Sequence, residues 1–479
     1  MHGRIPRLTV IVIILTVAAL LFAGCGGGGG GGGGGDDDGG NEPTPPPPPP
    51  PSDVEIGPGP GPEADAIPDE PAISTVAARA CPFADAPDAA LVRQAAIDRI
   101  DAFASEPPGT EDELRAVLTD FTAWVSEEPN DAVSQAGLAT AIVVVGAYNA
   151  GIDAGYAPGQ VLSLLSPVTE VASAGLREDR ESPSLGIIPA AADFPDPTDP
   201  DFSSADLQIG IRRFLLPALR HARGRVEAVA TNAPGPNVCL AAFPSRHGRH
   251  YAYRAEFRAL NGLFRIGQSL LLQFCAYQFN PGDWDWTAPL ADRDEDGDGL
   301  LQVDEYLPGD PFLWRHEANN MQLGGWHLRR GLEMLTAAIE RAHDDSMIAQ
   351  ALRPDGPSAA LETLGDLQEM LEGEVGVRIV YEGGLGGAGS FTARMDLSRL
   401  WSAPRDDLKT LFPTLRPVSQ GYWEALPRGR SDFPEPTLGG VFPRPDPVLT
   451  MLATGPTYIA ITHGSVERLT VIDRRDEAQ

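Results

Sequence analysis

The chain has 479 residues, with 67 Asp and Glu against 36 Lys and Arg and a formal net charge of −31. That length allows one to three domains. The charge excludes nucleic acid as the expected partner, because phosphate binding needs a basic surface to release counterions; an acidic surface suits cations instead. The basic residues are nearly all Arg, and Lys409 is the sole lysine. With the abundant Ala, Gly and Pro, this bias follows GC-rich coding and is assigned no role.

Residues 1–25 read as a signal peptide. Arg4 and Arg7 form a positive start, and Leu8 to Leu21 is an apolar run broken by Thr9 and Thr16. The run is short for a membrane span, which needs about 20 apolar residues, so it implies export. It closes on Leu21-Phe22-Ala23-Gly24-Cys25. That ending resembles the lipobox of bacterial lipoproteins, although Phe22 stands where Leu is usual. The resemblance implies that Cys25 is lipidated and anchors the protein to a membrane. Gly26 after the cysteine implies, by the same family's sorting, the outer membrane or the cell surface.

Residues 26–71 form a linker. Gly26 to Gly35 is all glycine, Asp36 to Asp38 follow, and Pro45 to Pro51 is all proline. Such sequence has little apolar surface to bury and is expected to be disordered, flexible in its glycine half and stiffer in its proline half. It would hold the folded body away from the membrane.

The fold class expected is mainly α: an irregular helical bundle, or repeat-like helical hairpins, over residues 72–373, then a small, partly β section over 374–479. Leu91 to Phe103 has helical spacing. Thr110-Glu111-Asp112-Glu113 is a capping box, and Leu114, Val117, Leu118, Phe121, Trp124 and Val125 share one face beyond it. Pro129-Asn130-Asp131-Ala132 ends that helix, and Gly137-Leu138-Ala139-Thr140-Ala141 offers small residues for close helix approach. This stretch resembles one tetratricopeptide repeat, over about 40 residues, with no second copy at the 34-residue period; stable arrays need at least about three repeats. Further helices are expected over Val161–Ala174, Asp206–Ala230 (interrupted at Pro217), Tyr251–Gln278, Phe312–Ala342 and Ala359–Leu371. Glu181 to Ser204 reads as a surface loop. After Gly373, alternation from Val375 to Tyr381 predicts a strand, with a return strand over Phe391–Leu397 and a terminal hairpin across Gly464.

One stretch carries chemistry. Asp294-Glu295-Asp296-Gly297-Asp298-Gly299-Leu300-Leu301-Gln302-Val303-Asp304-Glu305 fills the twelve-residue EF-hand calcium pattern, and resembles the single loops of exported bacterial proteins more than paired sensors. Calcium takes six to eight oxygens. The expected ligands are the carboxylates of Asp294, Asp296 and Asp298, the Leu300 carbonyl, Gln302 through water, and bidentate Glu305. Gly299 supplies the left-handed turn, and Leu301 pins the loop to the core. A register starting at Asp292 fails, since Val303 would close it. Pro308 limits the exit helix to about one turn. Affinity should be weak, about 10⁻⁴–10⁻³ M, as for extracellular modules.

No catalytic constellation emerges. His316-Glu317-Ala318-Asn319-Asn320 resembles the zinc-protease helix motif but has Asn320 where a second His is required. No Gly-x-Ser-x-Gly elbow occurs. His247-Gly248-Arg249-His250 reads as a basic turn. Cys81, Cys239 and Cys275 allow one disulfide and leave one thiol, with the pairing open. Asp396 to Trp401, Asp407-Leu408-Lys409 and Asp432 to Pro443 together are similar to a C-terminal pattern of bacterial lipoproteins with repeat-like helical bodies. The reading that results is a lipid-anchored, exported calcium-binding protein, a binding or scaffold module with a protein or cell-envelope partner. An exported hydrolase with a calcium-stabilised fold is the alternative.

Overall fold

The computed structural model describes residues 110–156, 161, 204–233, 238–245, 248–279, 290–294, 296–310, 312–315, 317–344, 346–352, 356–383, 387–419, 422–424, 433–452, 454, 456 and 458–473. The signal peptide, Cys25, the linker, the 91–103 helix, the 181–203 loop and nearly all of the 161–174 helix lie outside them.

The helical body comes first. Helix α1 (Glu111–Glu127) starts on Thr110, whose Oγ1 accepts from the Glu113 amide at 3.3 Å, and buries Leu114, Val117, Phe121, Trp124 and Val125. Helix α2 (Ala132–Asp153) starts on Asp131, which caps the Ser134 amide at 2.8 Å. The glycine reading holds here: a β-carbon on Gly137 would fall within the Phe121 ring. Helix α2 is apolar around much of its circumference because it is a central helix. Its other flank meets helix α3 (Ser204–Gly210) and helix α4 (Leu216–Asn232).

The expected break at Pro217 is not a break. The chain passes from α3 through one π-helical stretch, Ile211–Leu215, straight into α4. Proline cannot donate to the helical ladder, and the widened turn places Pro217 at the start of α4, where no such bond is required.

The start of the next helix also differs from expectation. Tyr251 and Ala252 belong to a hairpin of β1 (Ala241–Ser245) and β2 (Gly248–Ala252), and helix α5 runs from Arg254 to Phe274. The basic 247–250 turn thus lies partly on a strand. Glu256 Oε2 accepts from the Tyr253 amide at 2.8 Å and fixes the point where strand becomes helix.

Helix α6 (Val303–Tyr306) is one turn long, and α7 (Ala318–Ile339) begins six residues later than expected, after Phe312 to Arg315 form bridges and turns. Helices α5 and α7 pack backbone to backbone. A β-carbon on Gly262 would lie 2.8 Å from the Gly331 carbonyl oxygen, and one on Gly331 would lie 2.8 Å from that of Gly262. Further along, Ser269 Oγ donates to the Gly324 carbonyl at 2.7 Å. Helices α8 (Met347–Ala351) and α9 (Gly356–Glu372) complete the body.

The β section is one four-stranded antiparallel sheet, ordered β4-β3-β7-β8, built from β3 (Glu374–Glu382), β4 (Gly389–Asp396), β7 (Tyr458–His463) and β8 (Val466–Asp473). Ile379 pairs with Phe391 on one side and Ile461 on the other. Gly464, at φ +52, turns the terminal hairpin. Between the two hairpins lie α10 (Arg399–Ser402), a 3-10 turn Leu408–Leu411, a short hairpin β5 (Arg416–Ser419) and β6 (Tyr422–Glu424), and α11 (Asp446–Leu452). The architecture is mainly α with a small, partly β C-terminal section.

Candidate metal centre

The loop at 294–305 is shaped by turns between near neighbours. Leu290–Arg293 is a 3-10 turn, and the chain then folds back on its own carboxylates. Asp294 Oδ1 accepts from the Gly297 amide at 2.9 Å, and its Oδ2 from the Gly299 amide at 3.0 Å. Asp296 Oδ1 accepts from the Asp298 amide at 3.0 Å; Asp298 Oδ1 accepts from the Leu300 amide at 2.7 Å. Gly297 and Gly299 take φ +72 and +76, backbone that a side chain resists. Glu305 reaches back from α6, its Oε2 accepting from the Gln302 amide at 2.6 Å. Leu307 is extended and Pro308 follows, so α6 ends after one turn.

These turns bring three of the expected ligands together. Carboxylate oxygens of Asp294, Asp296 and Glu305 all lie within 4.8 Å of one another. Like charges that close repel by about 1 kcal/mol per pair even in water, and a hard cation relieves the repulsion. Asp298 is not in that group. Leu300 precedes the pinned Leu301, which is fully buried as expected. Gln302 faces elsewhere: its Oε1 accepts from Thr414 Oγ1 at 3.2 Å. All available donors are oxygens, which fits a hard divalent cation better than a soft one.

Four contacts fasten the loop to the segment 409–415, a link that the sequence did not disclose. Leu301 and Leu415 exchange two backbone hydrogen bonds, at 3.0 and 2.9 Å. Tyr306 donates its hydroxyl to the Pro413 carbonyl at 2.6 Å, and Thr414 holds Gln302. The sole lysine supplies the fourth. Lys409 is 4% exposed, and its Nζ bridges Asp304 at 3.1 Å and Asp310 at 2.5 Å. Burial pulls its pKa down, but the hydrogen bonds and charges of the two aspartates win, so it is held above the ordinary lysine value. The oddity of one lysine was visible in the sequence; its partners, 105 and 99 residues away, were not.

The other noted groups have structural partners. Glu317 pairs with Arg212 at 3.2 Å and accepts from Asn320. Cys239 is disulfide-bonded, and Cys275 is a free, buried thiol, pushed up to about 12 by burial and so unreactive. Asp366, Glu369 and His463 also lie within 4.8 Å of one another. There His463 Nε2 is 3.4 Å from Glu369, and Asp366 accepts from the Ser465 hydroxyl at 2.6 Å, which clamps the terminal hairpin to α9. A cleft of about 720 Å³ between α10 and 434–443 holds Arg399, Arg405 and Glu435. Burial raises the Glu435 carboxyl, but hydrogen bonds from Thr437 and Gly439 and the charge of Arg405 hold it below the ordinary range.

No protein-family model, curated protein or solved structure matches the chain.

Proposed function

We propose that this is an exported, lipid-anchored calcium-binding protein. In this reading the ion clasps the helical body to the C-terminal section. The single observation that carries it is the convergence of Asp294, Asp296 and Glu305 on a loop fastened to 409–415 by Leu301, Gln302, Asp304 and Tyr306. An ion there would stabilise the loop geometry, and with it the surface that the C-terminal segment presents. A lone site of modest affinity suits a surrounding where calcium is constant, so it acts as a structural clamp more than a sensor. The disulfide at Cys239 accords with an oxidising compartment, and Cys25 supplies the anchor.

Within that reading the protein is a binding or scaffold module, and the ion sets the shape of what it offers to a protein or cell-envelope partner. The test is scanning calorimetry of the full chain in detergent, with calcium and then with chelator. Calcium at about 10 mM would exceed the expected dissociation constant some 10- to 100-fold, a stabilisation of about 1.4–2.7 kcal/mol. A melting temperature that ignores calcium would end the proposal.

A further inference from the structure

Three helices bring arginines together in a protein that is otherwise strongly acidic. Arg223 stands on α4, Arg265 on α5 and His327 on α7. Arg223 Nη1 lies 3.3 Å, and Arg265 Nη1 3.5 Å, from the same atom, His327 Nδ1. One imidazole nitrogen thus serves two guanidinium groups. Arg265 is 5% exposed and His327 3% exposed. Burying a guanidinium is costly unless anions and acceptors compensate it.

Compensation here is incomplete. Glu227 approaches Arg265 Nη2 at 3.3 Å, and its own side chain is half exposed. Arg223 Nε and Arg265 Nε are both buried with no acceptor among the described residues. Asn261 and Gln268 lie four residues before and three after Arg265, on the same helix face. Each also holds a buried amide oxygen without a donor.

The surface beside this cluster is open. Trp326 is 53% exposed, and the Arg265 guanidinium lies 5.2 Å from its ring centre.

We propose that Arg223 and Arg265 form a binding site for an oxyanion, phosphate or carboxylate, carried by a ligand whose flat or apolar part lies on Trp326. Guanidinium donors paired on one oxyanion give charge-assisted hydrogen bonds, and both chemistries match the fork. The bound anion supplies the acceptors that Arg223 Nε and Arg265 Nε lack. The site is independent of the calcium loop and of the proposed function.

The test is calorimetric titration of the full chain with inorganic phosphate in one arm and acetate in the other. Saturable binding of either supports the site, and the tighter arm names the chemistry. Arg223→Gln should weaken that binding at least tenfold while the melting temperature holds. Arg115→Gln, which removes a guanidinium already paired with Glu111, should leave it unchanged. Should Arg223→Gln fail to fold, the His327 ring signals of the wild-type protein are followed by NMR, and they should move with the anion and saturate. Absence of saturable binding in both arms, or equal binding by Arg223→Gln, overturns the proposal.

Discussion

The acidic loop and the arginine cluster solve opposite electrostatic problems by opposite means. The loop draws Asp294, Asp296 and Glu305 from twelve consecutive residues, shaped by turns between near neighbours and open to water. The cluster draws Arg223, Arg265 and His327 from three helices, 42 to 104 residues apart, and buries two of them. A local site depends on backbone turns and survives small shifts in packing. A site assembled from distant helices is only as good as the helix seams that hold it. The two should therefore fail independently.

The largest expected effect comes from the seam. Gly331→Leu forces side chain into the Gly262 carbonyl and into Ile266, with a β-carbon 2.8 and 2.7 Å from them. Overpacking against backbone should cost about 3 kcal/mol, a fall in melting temperature of roughly 3–5 °C for a body of this size. The loop's calcium response, read on the same variant below its transition, should persist. Its loss would show that the two regions are one cooperative unit.

Glu305→Gln makes the reciprocal cut. It should abolish the calcium-dependent stabilisation of about 1.4–2.7 kcal/mol, measured by calorimetry with and without chelator. Melting in chelator should barely change. Lys409→Met comes next. Removing a buried cation leaves Asp304 and Asp310 unpaired, but both carboxylates are largely exposed and can hydrate. The cost should be about 1–2 kcal/mol by denaturant titration, below that for a pair buried on both sides.

A change of slope with pH is the last way to separate the two regions. Burial, then the charges of Arg223, Arg265 and Arg220, lower the His327 pKa from 6.5 to about 3. A depressed folded value means the unfolded chain takes up the proton first. The stability His327 contributes is therefore complete above pH 6.5 and lost as pH falls towards 3. His327→Gln should flatten the acid limb of a stability–pH curve relative to wild type. An unchanged limb would mean that the imidazole is not held between the arginines.

The same division governs what could be read from sequence. The buried face of α1, the caps at Thr110 and Asp131, and the alternation of β3 are near-neighbour patterns, and each was legible. So was the single helical turn before Pro308. The β1–β2 hairpin was not: Ala, Pro, Ser, Gly, Arg and His give it little strand character, and its pairing is a tertiary outcome. Pro217 reads as a break because a proline's effect on the ladder is local, while the π-turn that absorbs it lies in a continuous helical run packed against α2. Strands β3 and β7 are some 80 residues apart, so periodicity disclosed each strand but not that they share a sheet. The Lys409 bridge and the arginine cluster escaped for the same reason.

Lys409 has a further consequence. A chain with one lysine, and that lysine 4% exposed, offers an amine-directed acylating reagent almost no side-chain target while folded. Acylation at Lys409 must wait until the segment lifts away from Asp304 and Asp310. Its rate then tracks the fraction of molecules in which that segment has opened. Acylation of Lys409 is therefore a chemical clock for that opening, and calcium should slow it.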